Sequence, residues 1–472
     1  MNSQHPTELV AAAILAARPA GTEWSQLGFT GRGKVLIRWS QSLALNLEKI
    51  AEIIHEETGK PISDARLETS LAISHLRWAA MNAARVLSPS KRASGILNIN
   101  MSAHVEHAPY GVVGVIGPWN YPIFTPMGSI GYALAAGNAI IFKPSEFTPK
   151  VAHYYSQLLT DVSPIENLIQ VLPHSPEFGA ALASSGVDKI SFTGSTATGR
   201  KVAAACAANL TPHVLECGGK DAVIVDEDAD VSQCAEAVLW ASMSNAGQTC
   251  IGSERVYVHE KIADRFISEI EKRAREIHAA PSGNYGRMTM PNLINVIRER
   301  VSIAAEDGGE FVVGGLDSIS GNGVEGGYIQ PIVIKNLPED SAAMKEEIFG
   351  PTLIINRVAS MQEAIKKAND NPYGLGGSVW SKRRGKHIAS QLKSGMVSIN
   401  SVLAFASVAS LPFGGVKASG YGRIHGEEGL KEFAYPHSVV QERFALPVKF
   451  TTFGRTAFAD KFIMKLTKFI NR

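Results

Sequence analysis

Residues 111–143 read GVVGVIGPWNYPIFTPMGSIGYALAAGNAIIFK, and the first 32 of them, 111–142, contain no charged residue. A membrane-spanning helix needs roughly 20 apolar residues, so length alone would allow one here. Three prolines, Pro118, Pro122 and Pro126, would however interrupt a single helix repeatedly. The stretch is therefore predicted to form a buried strand, a loop, a helix and a second buried strand.

Similar short apolar runs continue along the chain and alternate with helical segments. KISFT at 189–193 and AVIVD at 222–226 are two such runs, and ATGRKVAAACA at 197–207 is a helical segment between them. Continuous apolar strands alternating with helices are typical of parallel sheets buried on both faces. We predict an α/β fold with a Rossmann-like, doubly wound parallel sheet, a helical region over 30–90, and a second α/β domain after about residue 234.

Composition excludes several classes of protein. The 472 residues include 46 Lys and Arg against 44 Asp and Glu, which is typical of a globular chain and predicts no nucleic-acid partner. Only four cysteines are present, with no CxxC pair, so neither a disulfide framework nor a metal site is predicted. The apolar N-terminal stretch lacks a preceding basic region, so no secretory signal is predicted. A cytoplasmic location is the expectation.

Two glycine-rich turns are candidates for binding phosphate. The one match to GxGxxG, at residues 321–326, lies in a glycine-rich loop that leads to Tyr328, so we interpret it as a turn. In SFTGSTATGR at 191–200, by contrast, a strand runs through Gly194 and Ser195 to Gly199 and a helix. Free backbone N–H groups at such a helix start favour phosphate. A tight turn without a ligand remains the alternative.

Three residues have the chemistry of a catalytic site. Cys250 lies in the polar loop SNAGQTCIGS, Glu216 ends the apolar strand of HVLECGG, and Asn120 follows a buried strand in PWNYP. A loop thiol can act as a nucleophile, a carboxyl beside apolar groups as a general base, and an amide as an oxyanion donor. Each also has a structural alternative, namely a buried apolar thiol, a capping carboxylate and a turn residue.

From about residue 30 to about 440, the chain resembles the NAD(P)-dependent aldehyde dehydrogenase superfamily. It contains many of the motifs of that family, and they occur in the same order along the chain. They are EETGKP (56–61), GVVGVIGPWNYP (111–122), GNAIIFKPSE (137–146), FTGSTATG (192–199), LECGGKDAVIV (215–225), GQTC (247–250), GYIQP (327–331), EEIFGP (346–351) and LPFGGVKASGYGR (411–423).

The resemblance implies a function for these positions. It implies oxidation of a small aldehyde to a carboxylic acid, with Cys250 as nucleophile, Glu216 as general base and Asn120 as oxyanion donor. A carboxylate at Glu146 would repel a 2′-phosphate, so NAD is expected, with NADP as the alternative. The implied cofactor-binding residues are Trp119, Lys143, Glu146, Gly194, Ser195, Gly199, Glu347 and Phe349.

The chain also departs from the family pattern. Cys217 stands in LECGG where many relatives have LELGG, and we interpret it as a packing replacement. Tyr435 stands at about the place where some relatives carry a further carboxylate, which puts a proton relay there in doubt. The segment over 283–300 looks shorter than usual.

The resemblance further implies a domain order and a homodimer or homotetramer. Pairing would use a segment before Gly111 and a C-terminal strand. The predicted parts are an NAD-binding domain over 1–217, with an oligomerisation segment at about 94–108, a catalytic domain over 218–430, a return and oligomerisation strand over 431–454, and a basic amphipathic tail over 455–472.

The tail has two distinct faces if it is helical. One carries Phe462, Leu466, Phe469 and Ile470, and the other carries Lys461, Lys465, Lys468 and Arg472. Such a helix can lie on an anionic membrane surface or dock on a partner subunit, and both remain open.

Two rival functions remain. A coenzyme-A-acylating relative would keep Cys250 but typically lacks the glutamate, and a catalytically silent NAD-binding scaffold would be expected to lose Cys250, Asn120 or Glu216. All three residues are present. No motif identifies the aldehyde.

Overall fold

The computed structural model describes residues 5–320, 324, 326–448 and 450–471. The helices are α1 (Pro6–Gln26), α2 (Gly28–Leu45), α3 (Leu47–Thr58), α4 (Ile62–Leu87), α5 (Phe124–Ala136), α6 (Pro149–Val162), α7 (Pro176–Ala183), α8 (Thr196–Ala208), α9 (Val231–Met243), α10 (Glu260–Ala274), α11 (Leu293–Glu306), α12 (Ala342–Lys345), α13 (Met361–Asn369), α14 (Gly385–Ala389), α15 (Ala404–Ser407), α16 (Gly426–Glu432) and α17 (Ala457–Ile470). The strands are β1 (Ser90–Arg92), β2 (Met101–Pro109), β3 (Val112–Ile116), β4 (Ala139–Lys143), β5 (Ile169–Val171), β6 (Lys189–Thr193), β7 (His213–Glu216), β8 (Asp221–Val225), β9 (Ser253–His259), β10 (Glu310–Val313), β11 (Ile332–Lys335), β12 (Thr352–Val358), β13 (Gly377–Trp380), β14 (Ser398–Ile399), β15 (Gly420–Tyr421) and β16 (Ala434–Glu442).

The first sheet has the strand order β15-β7-β6-β3-β4-β5. Its strands are parallel except for β15, and β3 and β4 are buried along their whole length. From β3 the chain proceeds to β4 and β5 on one side and then to β6 and β7 on the other. This is the doubly wound order, and ligands bind where it reverses, here between β3 and β6. The predicted Rossmann-like sheet is confirmed.

The charge-free stretch at 111–142 forms β3, the following loop, α5 and β4, as predicted. No helix among the described residues is both long enough and apolar enough to cross a membrane. The predicted helical region corresponds to α2, α3 and α4. Most of the glycine-rich match at 321–326 lies outside the described residues, so its interpretation as a turn stays a prediction.

The second sheet has the order β10-β11-β12-β9-β8-β13-β14 and is parallel except where β10 meets β11. It has a hydrophobic core of its own, separate from that of the first sheet. The two-domain α/β prediction is therefore confirmed in outline. The chain returns to the first sheet before residue 430, because Gly420 and Tyr421 of β15 pair with Glu216 and Leu215 of β7.

A third, antiparallel sheet has the order β1-β2-β16. Strand β16 pairs with β2 over nine residue pairs, from Ala434↔Pro109 to Glu442↔Met101. These strands lie in the segments predicted for oligomerisation. Most side chains of β2 and β16 are half-buried or exposed to solvent. Packing against a hydrophobic core therefore does not account for the stability of this sheet.

Candidate active site

The loop that carries Cys250 is bent by three successive residues in the left-handed region. Asn245, Ala246 and Gly247 have φ values of 54°, 57° and 71°. A side chain at Gly247 would collide with the backbone of Gly350, so only glycine fits at the third position. This bend brings Cys250 out of the helical region and ahead of β9.

Gln248 holds this loop in place from within the core. It is fully buried, and its Oε1 accepts a hydrogen bond of 2.8 Å from the N–H of Thr289. Its backbone carbonyl accepts a 2.9 Å hydrogen bond from Nδ2 of Asn120. One residue further on, Oγ1 of Thr249 lies 2.9 Å from the hydroxyl of Tyr121. The structure therefore joins the loops of Asn120 and Cys250, which are 130 positions apart in the sequence.

A buried ion pair supports the Asn120 loop from the other side. Lys60 and Glu68 are paired and almost completely excluded from solvent. Nζ of Lys60 donates to the carbonyl oxygen of Asn120 at 3.0 Å, and Oε1 of Glu68 accepts from the N–H groups of Ile123 and Phe124 at 3.1 and 3.3 Å. Sequence reasoning missed this pair. Lys60 lies in the EETGKP segment at 56–61, but nothing local in the sequence connects that segment with residue 120.

Glu216 is the last residue of β7 and is 2 % exposed. Neither carboxylate oxygen has a hydrogen-bond partner among the described residues. The side chain faces Gly414, where a Cβ would lie 2.8 Å from Oε1. Burial raises the pKa of Glu216 well above its ordinary value, the positive charge of Arg423 opposes this, and Glu432 reinforces it. An unpartnered buried carboxyl of this kind is poised to accept a proton.

The Cys250 thiol lies in a negative environment. Burial raises the pKa of Cys250 above its ordinary value, and the nearby carboxylates of Glu347, Asp221 and Glu216 raise it further. The residue is only partly buried, unlike the three other cysteines. Because the thiolate is the nucleophilic form, this environment disfavours the reactive state of Cys250 at neutral pH.

The carboxyl ends of the first sheet bring several candidate residues to one edge. Ile116 of β3 is paired with Lys143 of β4, and Thr193 of β6 with Glu216 of β7. Lys143 is buried, and burial lowers the pKa of its amine. Its Nζ lies 3.7 Å from Oε2 of the more exposed Glu146. The positive charge of Lys143 and the carboxylate of Glu146 thus lie together at the carboxyl edge of the sheet, near the place where the strand order reverses.

The turn from β6 into α8 has the features expected of an anion site. The N–H of Gly194 donates to the carbonyl oxygen of Glu216 at 3.0 Å, and Ser195 is the N-cap, accepting from the N–H of Thr198 at 3.3 Å. Ser195 is exposed, and no acidic residue occupies the first turn. Gly199 packs against β7 so closely that a Cβ would lie 2.7 Å from Sγ of Cys217. The helix start remains available to a negatively charged group.

Cys217 itself is buried, and its N–H donates to the carbonyl oxygen of Ser419 at 3.0 Å. Burial, with Glu216 and Glu347 nearby, raises the pKa of its thiol to about 12. Its contact with Gly199 is consistent with the packing role that the sequence suggested.

The segment at 346–351 reaches across from the second domain. Oε1 of Glu347 accepts from the N–H of Gly219 at 3.0 Å, and Gly218 lies so close to this carboxylate that no Cβ would fit. Burial raises the pKa of Glu347 to about 8, with Glu254 adding to the shift and the Gly219 N–H opposing it. The carboxylate is therefore fixed beside the strand end that carries Glu216.

Aromatic rings pack together beside this segment. The ring of Trp119 meets that of Phe349 edge to face at 5.7 Å between centroids, and that of Phe147 at 6.3 Å. Phe349 has φ of 57°, which turns its backbone into the left-handed region. All eight residues predicted to bind a cofactor thus lie on the carboxyl edge of the first sheet, on the loops that follow it or on the segment facing it. Among the described residues, no group of three or more His, Cys, Asp or Glu side chains could hold a metal ion.

Comparisons with known proteins identify the family to which the chain is similar. The model of the "Aldehyde dehydrogenase family" matches residues 3–439. A putative succinate-semialdehyde dehydrogenase (NADP(+)) of Mycolicibacterium smegmatis is 35% identical over 92% of this chain and 85% of its own length. The betaine aldehyde dehydrogenase of Bacillus subtilis is 33% identical over 89% and 87%.

Solved structures show the same likeness. PnpE, known from Pseudomonas sp. WBC-3, has been solved in complex with nicotinamide adenine dinucleotide. That complex superposes with a TM-score of 0.87 at 34% identity, covering 93% of this chain and 90% of PnpE.

Proposed function

The chain belongs to the aldehyde dehydrogenase family, and from this we propose that it oxidises an aldehyde to a carboxylic acid through a covalent intermediate on Cys250. The observation that carries the proposal is the hydrogen bond between Asn120 and the Cys250 loop, with the unpartnered Glu216 carboxyl near enough to Cys250 to raise the pKa of its thiol. Nucleophile, oxyanion donor and base are the three groups that this reaction requires.

In the first step the Cys250 thiol gives its proton to solvent, the thiolate sulfur bonds to the carbonyl carbon of the aldehyde, and the carbonyl π electrons move to its oxygen. One hydrogen of the Asn120 amide is used on Gln248, which leaves the other for this oxyanion. The backbone N–H of Cys250 would be the second donor. Because these donors are fixed before the reaction, they stabilise the charge as it develops.

We propose NAD as the cofactor, with NADP as the alternative. The start of α8 at Ser195 and the closely packed Gly199 fit a pyrophosphate, because no acidic residue occupies the first turn and the helix lies against the sheet. Lys143 and Glu146 would hold the adenosine ribose, and the fixed Glu347 carboxylate the nicotinamide ribose. Trp119 and Phe349 would line the same cleft. When bound, NAD supplies the acceptor for the hydride that leaves the substrate carbon.

Release of the product would depend on Glu216. Its carboxylate takes a proton from a water molecule, and the resulting hydroxide attacks the thioester carbon on Cys250. The carbon–sulfur bond then breaks and releases the carboxylic acid, and the proton held by Glu216 passes to the sulfur, which restores the thiol. The raised pKa of Glu216 supports this role, because a stronger base accepts the proton more readily. A coenzyme-A-acylating reaction would not need this carboxyl.

The test is NADH formation with a panel of short aliphatic, long aliphatic, aromatic and semialdehyde substrates. Cys250→Ala should abolish turnover, whereas Cys234→Ala, a change at a buried thiol in α9, should retain it. Undiminished turnover in the Cys250 variant would overturn the proposal. Inactivity of the parent protein with all substrate classes would favour the silent scaffold.

A second test separates acylation from hydrolysis. Glu216→Gln should retain a burst of about one NADH per active site, because hydride loss precedes hydrolysis, while steady turnover falls by about 100-fold or more. Faster turnover of the parent protein when coenzyme A is added, with an acyl thioester as product, would favour the acylating alternative. Equal loss of burst and turnover would argue against Glu216 as the hydrolytic base.

We also propose that the protein is a cytoplasmic homodimer or homotetramer. Strand β16 is paired with β2 on one side, and within the described part of the chain no strand pairs with its other edge. Val440 on this strand is 63% exposed. A paired copy would cover such an edge.

A further inference from the structure

The end of the chain has an unusual composition. Residues 443–472 contain seven Lys or Arg, a single acidic residue and six of the 18 phenylalanines of the whole chain. The near-neutral net charge of the protein conceals this local excess of positive charge. Basic and aromatic residues combined in one segment are typical of surfaces that meet anionic membranes.

Helix α17 presents these residues outward. It begins at the N-cap Thr456, whose side chain accepts from the N–H of Ala459 at 3.3 Å. Ala459 is buried and Leu466 is half-buried, so the helix touches the rest of the chain only along a narrow line. Phe458 and Phe469 are 67% and 77% exposed. The apolar face is therefore much wider than the part that the protein itself covers.

Aromatic side chains extend this face before the helix. Phe450 stacks on Phe462 at 6.1 Å between ring centroids, and Phe458 stacks on the same ring at 6.4 Å. Phe453 is completely exposed. Aromatic rings of this kind favour the boundary between lipid headgroups and acyl chains.

Lysines follow one side of the aromatic face. The acid of this segment, Asp460, is paired with Arg455 at 2.5 Å, so it does not offset the charge of the helix. Lys461, Lys465 and Lys468 are exposed and lie three or four residues apart, on one side of α17. Positive charge along the margin of an apolar face is the arrangement that binds an anionic lipid surface.

We propose that α17, with the preceding aromatic residues from Phe450 onward, is a docking surface for anionic lipid membranes. The helix would lie in the plane of the membrane, with its phenylalanines between the headgroups and its lysines on lipid phosphates. A single helix of 14 residues gives reversible attachment rather than insertion. The proposal does not depend on the reaction proposed above.

A second copy of the chain is a less suitable occupant of this face. In a two-fold symmetric contact the same patch meets itself, so Lys461, Lys465 and Lys468 of both copies would be gathered into one interface. Like charges in such a contact are repulsive. An anionic lipid surface offers the opposite charge and covers the phenylalanines as well.

The experiment is co-sedimentation of the full-length protein with vesicles of equal parts phosphatidylcholine and phosphatidylglycerol, and with vesicles of phosphatidylcholine alone. Binding is expected for the anionic vesicles and should weaken at high salt, because salt screens the lysines. Two variants remove the charge and the aromatic contribution separately. They are the triple variant Lys461→Glu, Lys465→Glu and Lys468→Glu, and the double variant Phe458→Ser and Phe469→Ser.

Each variant should bind at least about tenfold more weakly than the parent. A matched control reverses three exposed lysines elsewhere and changes the net charge equally, so it should bind far better than the tail variant. The control is Lys34→Glu, Lys272→Glu and Lys386→Glu. NADH formation and molar mass by light scattering, measured on every variant, test that folding and assembly persist.

Three results would overturn the proposal. The first is no binding of the parent protein to either type of vesicle. The second is equal loss of binding in the control, which would mean that net charge alone attracts the protein. The third is a fall in molar mass of the tail variants, which would assign the face to a partner subunit.

Discussion

Among the single residues of the site, Cys250 differs from the other cysteines in its access to solvent. Cys206 and Cys234 are fully buried and Cys217 is 5% exposed, whereas Cys250 is only partly covered. Its thiol pKa is nevertheless raised, by burial and by the carboxylates around it. Its partial exposure favours reaction with a reagent in solution, whereas its raised pKa lowers the fraction of reactive thiolate.

We therefore expect iodoacetamide to label one thiol of the native protein rapidly and to label it faster as the pH rises. The thiolate is the reacting form, and a raised pKa moves its appearance to higher pH. In Glu216→Gln the nearby negative charge is gone, so labelling at a given alkaline pH should be faster. Mass spectrometry of the labelled peptide measures both effects.

Cys250→Ser is the control, since it should lose the rapidly labelled site. Rapid labelling at another cysteine, or a labelling rate that does not change with pH, would contradict the prediction.

The buried Lys60–Glu68 pair is a further residue-level feature, because it touches the backbone around Asn120 rather than any reacting group. Removing one member leaves the other charge buried and unpaired. Lys60→Met should therefore destabilise the protein by about 3–5 kcal/mol. Replacing both, as Lys60→Met with Glu68→Leu, should cost less than the sum of the single changes.

Glu68→Gln is the milder variant, because its amide oxygen can still accept from Ile123 and Phe124. If the pair positions Asn120, this variant should slow the NADH burst while the KM for NAD stays unchanged. Stopped-flow kinetics and thermal unfolding measure the two effects separately. A lower melting temperature with a normal burst would make the pair purely structural.

Among the elements, α8 packs closely against the end of β7 just after the chain leaves β6. Gly199 brings the first turn of α8 against Cys217, the residue that follows β7, so that an added methyl group would lie 2.7 Å from its sulfur. The position of the helix start, and with it the proposed pyrophosphate site, depends on this contact.

Gly199→Ala should therefore raise the KM for NAD several-fold and cost about 1–3 kcal/mol of stability through overpacking. Adding Cys217→Ala removes the colliding sulfur, and the double variant should recover both properties. Alanine is also the better helix former by about 1 kcal/mol. Initial-rate kinetics and thermal unfolding of the two variants measure this. Unchanged NAD kinetics in the single variant would contradict it.

At the level of the whole molecule, the antiparallel sheet of β1, β2 and β16 stands apart from the two hydrophobic cores. Its side chains are mostly half-buried or exposed, although β2 and β16 are paired over nine residues each. A long exposed strand edge of this kind leaves backbone N–H and C=O groups unpaired, so a monomer could pair with other chains and aggregate. Pairing of two copies of the chain along this edge would cover these backbone groups.

Val440→Glu places a charge on this strand where an exposed apolar side chain now lies. If β16 forms the subunit interface, the variant should have a smaller molar mass by light scattering than the parent at equal concentration. Lys431→Glu, a charge change on the nearby α16, is the control and should leave the mass unchanged. A parent protein that is already monomeric would contradict the proposed assembly.

The amino-acid sequence by itself determined the parallel sheet and the order of its elements, because apolar periodicity and the glycine and proline positions are local properties. It also identified Cys250, Glu216 and Asn120 as chemically suitable residues. Only the tertiary structure decided that Gln248 bonds to Asn120, that Lys60 and Glu68 hold that loop, and that Glu347 reaches Gly219. Contacts between residues far apart in the chain follow from how the elements pack, and no short stretch of sequence contains that information.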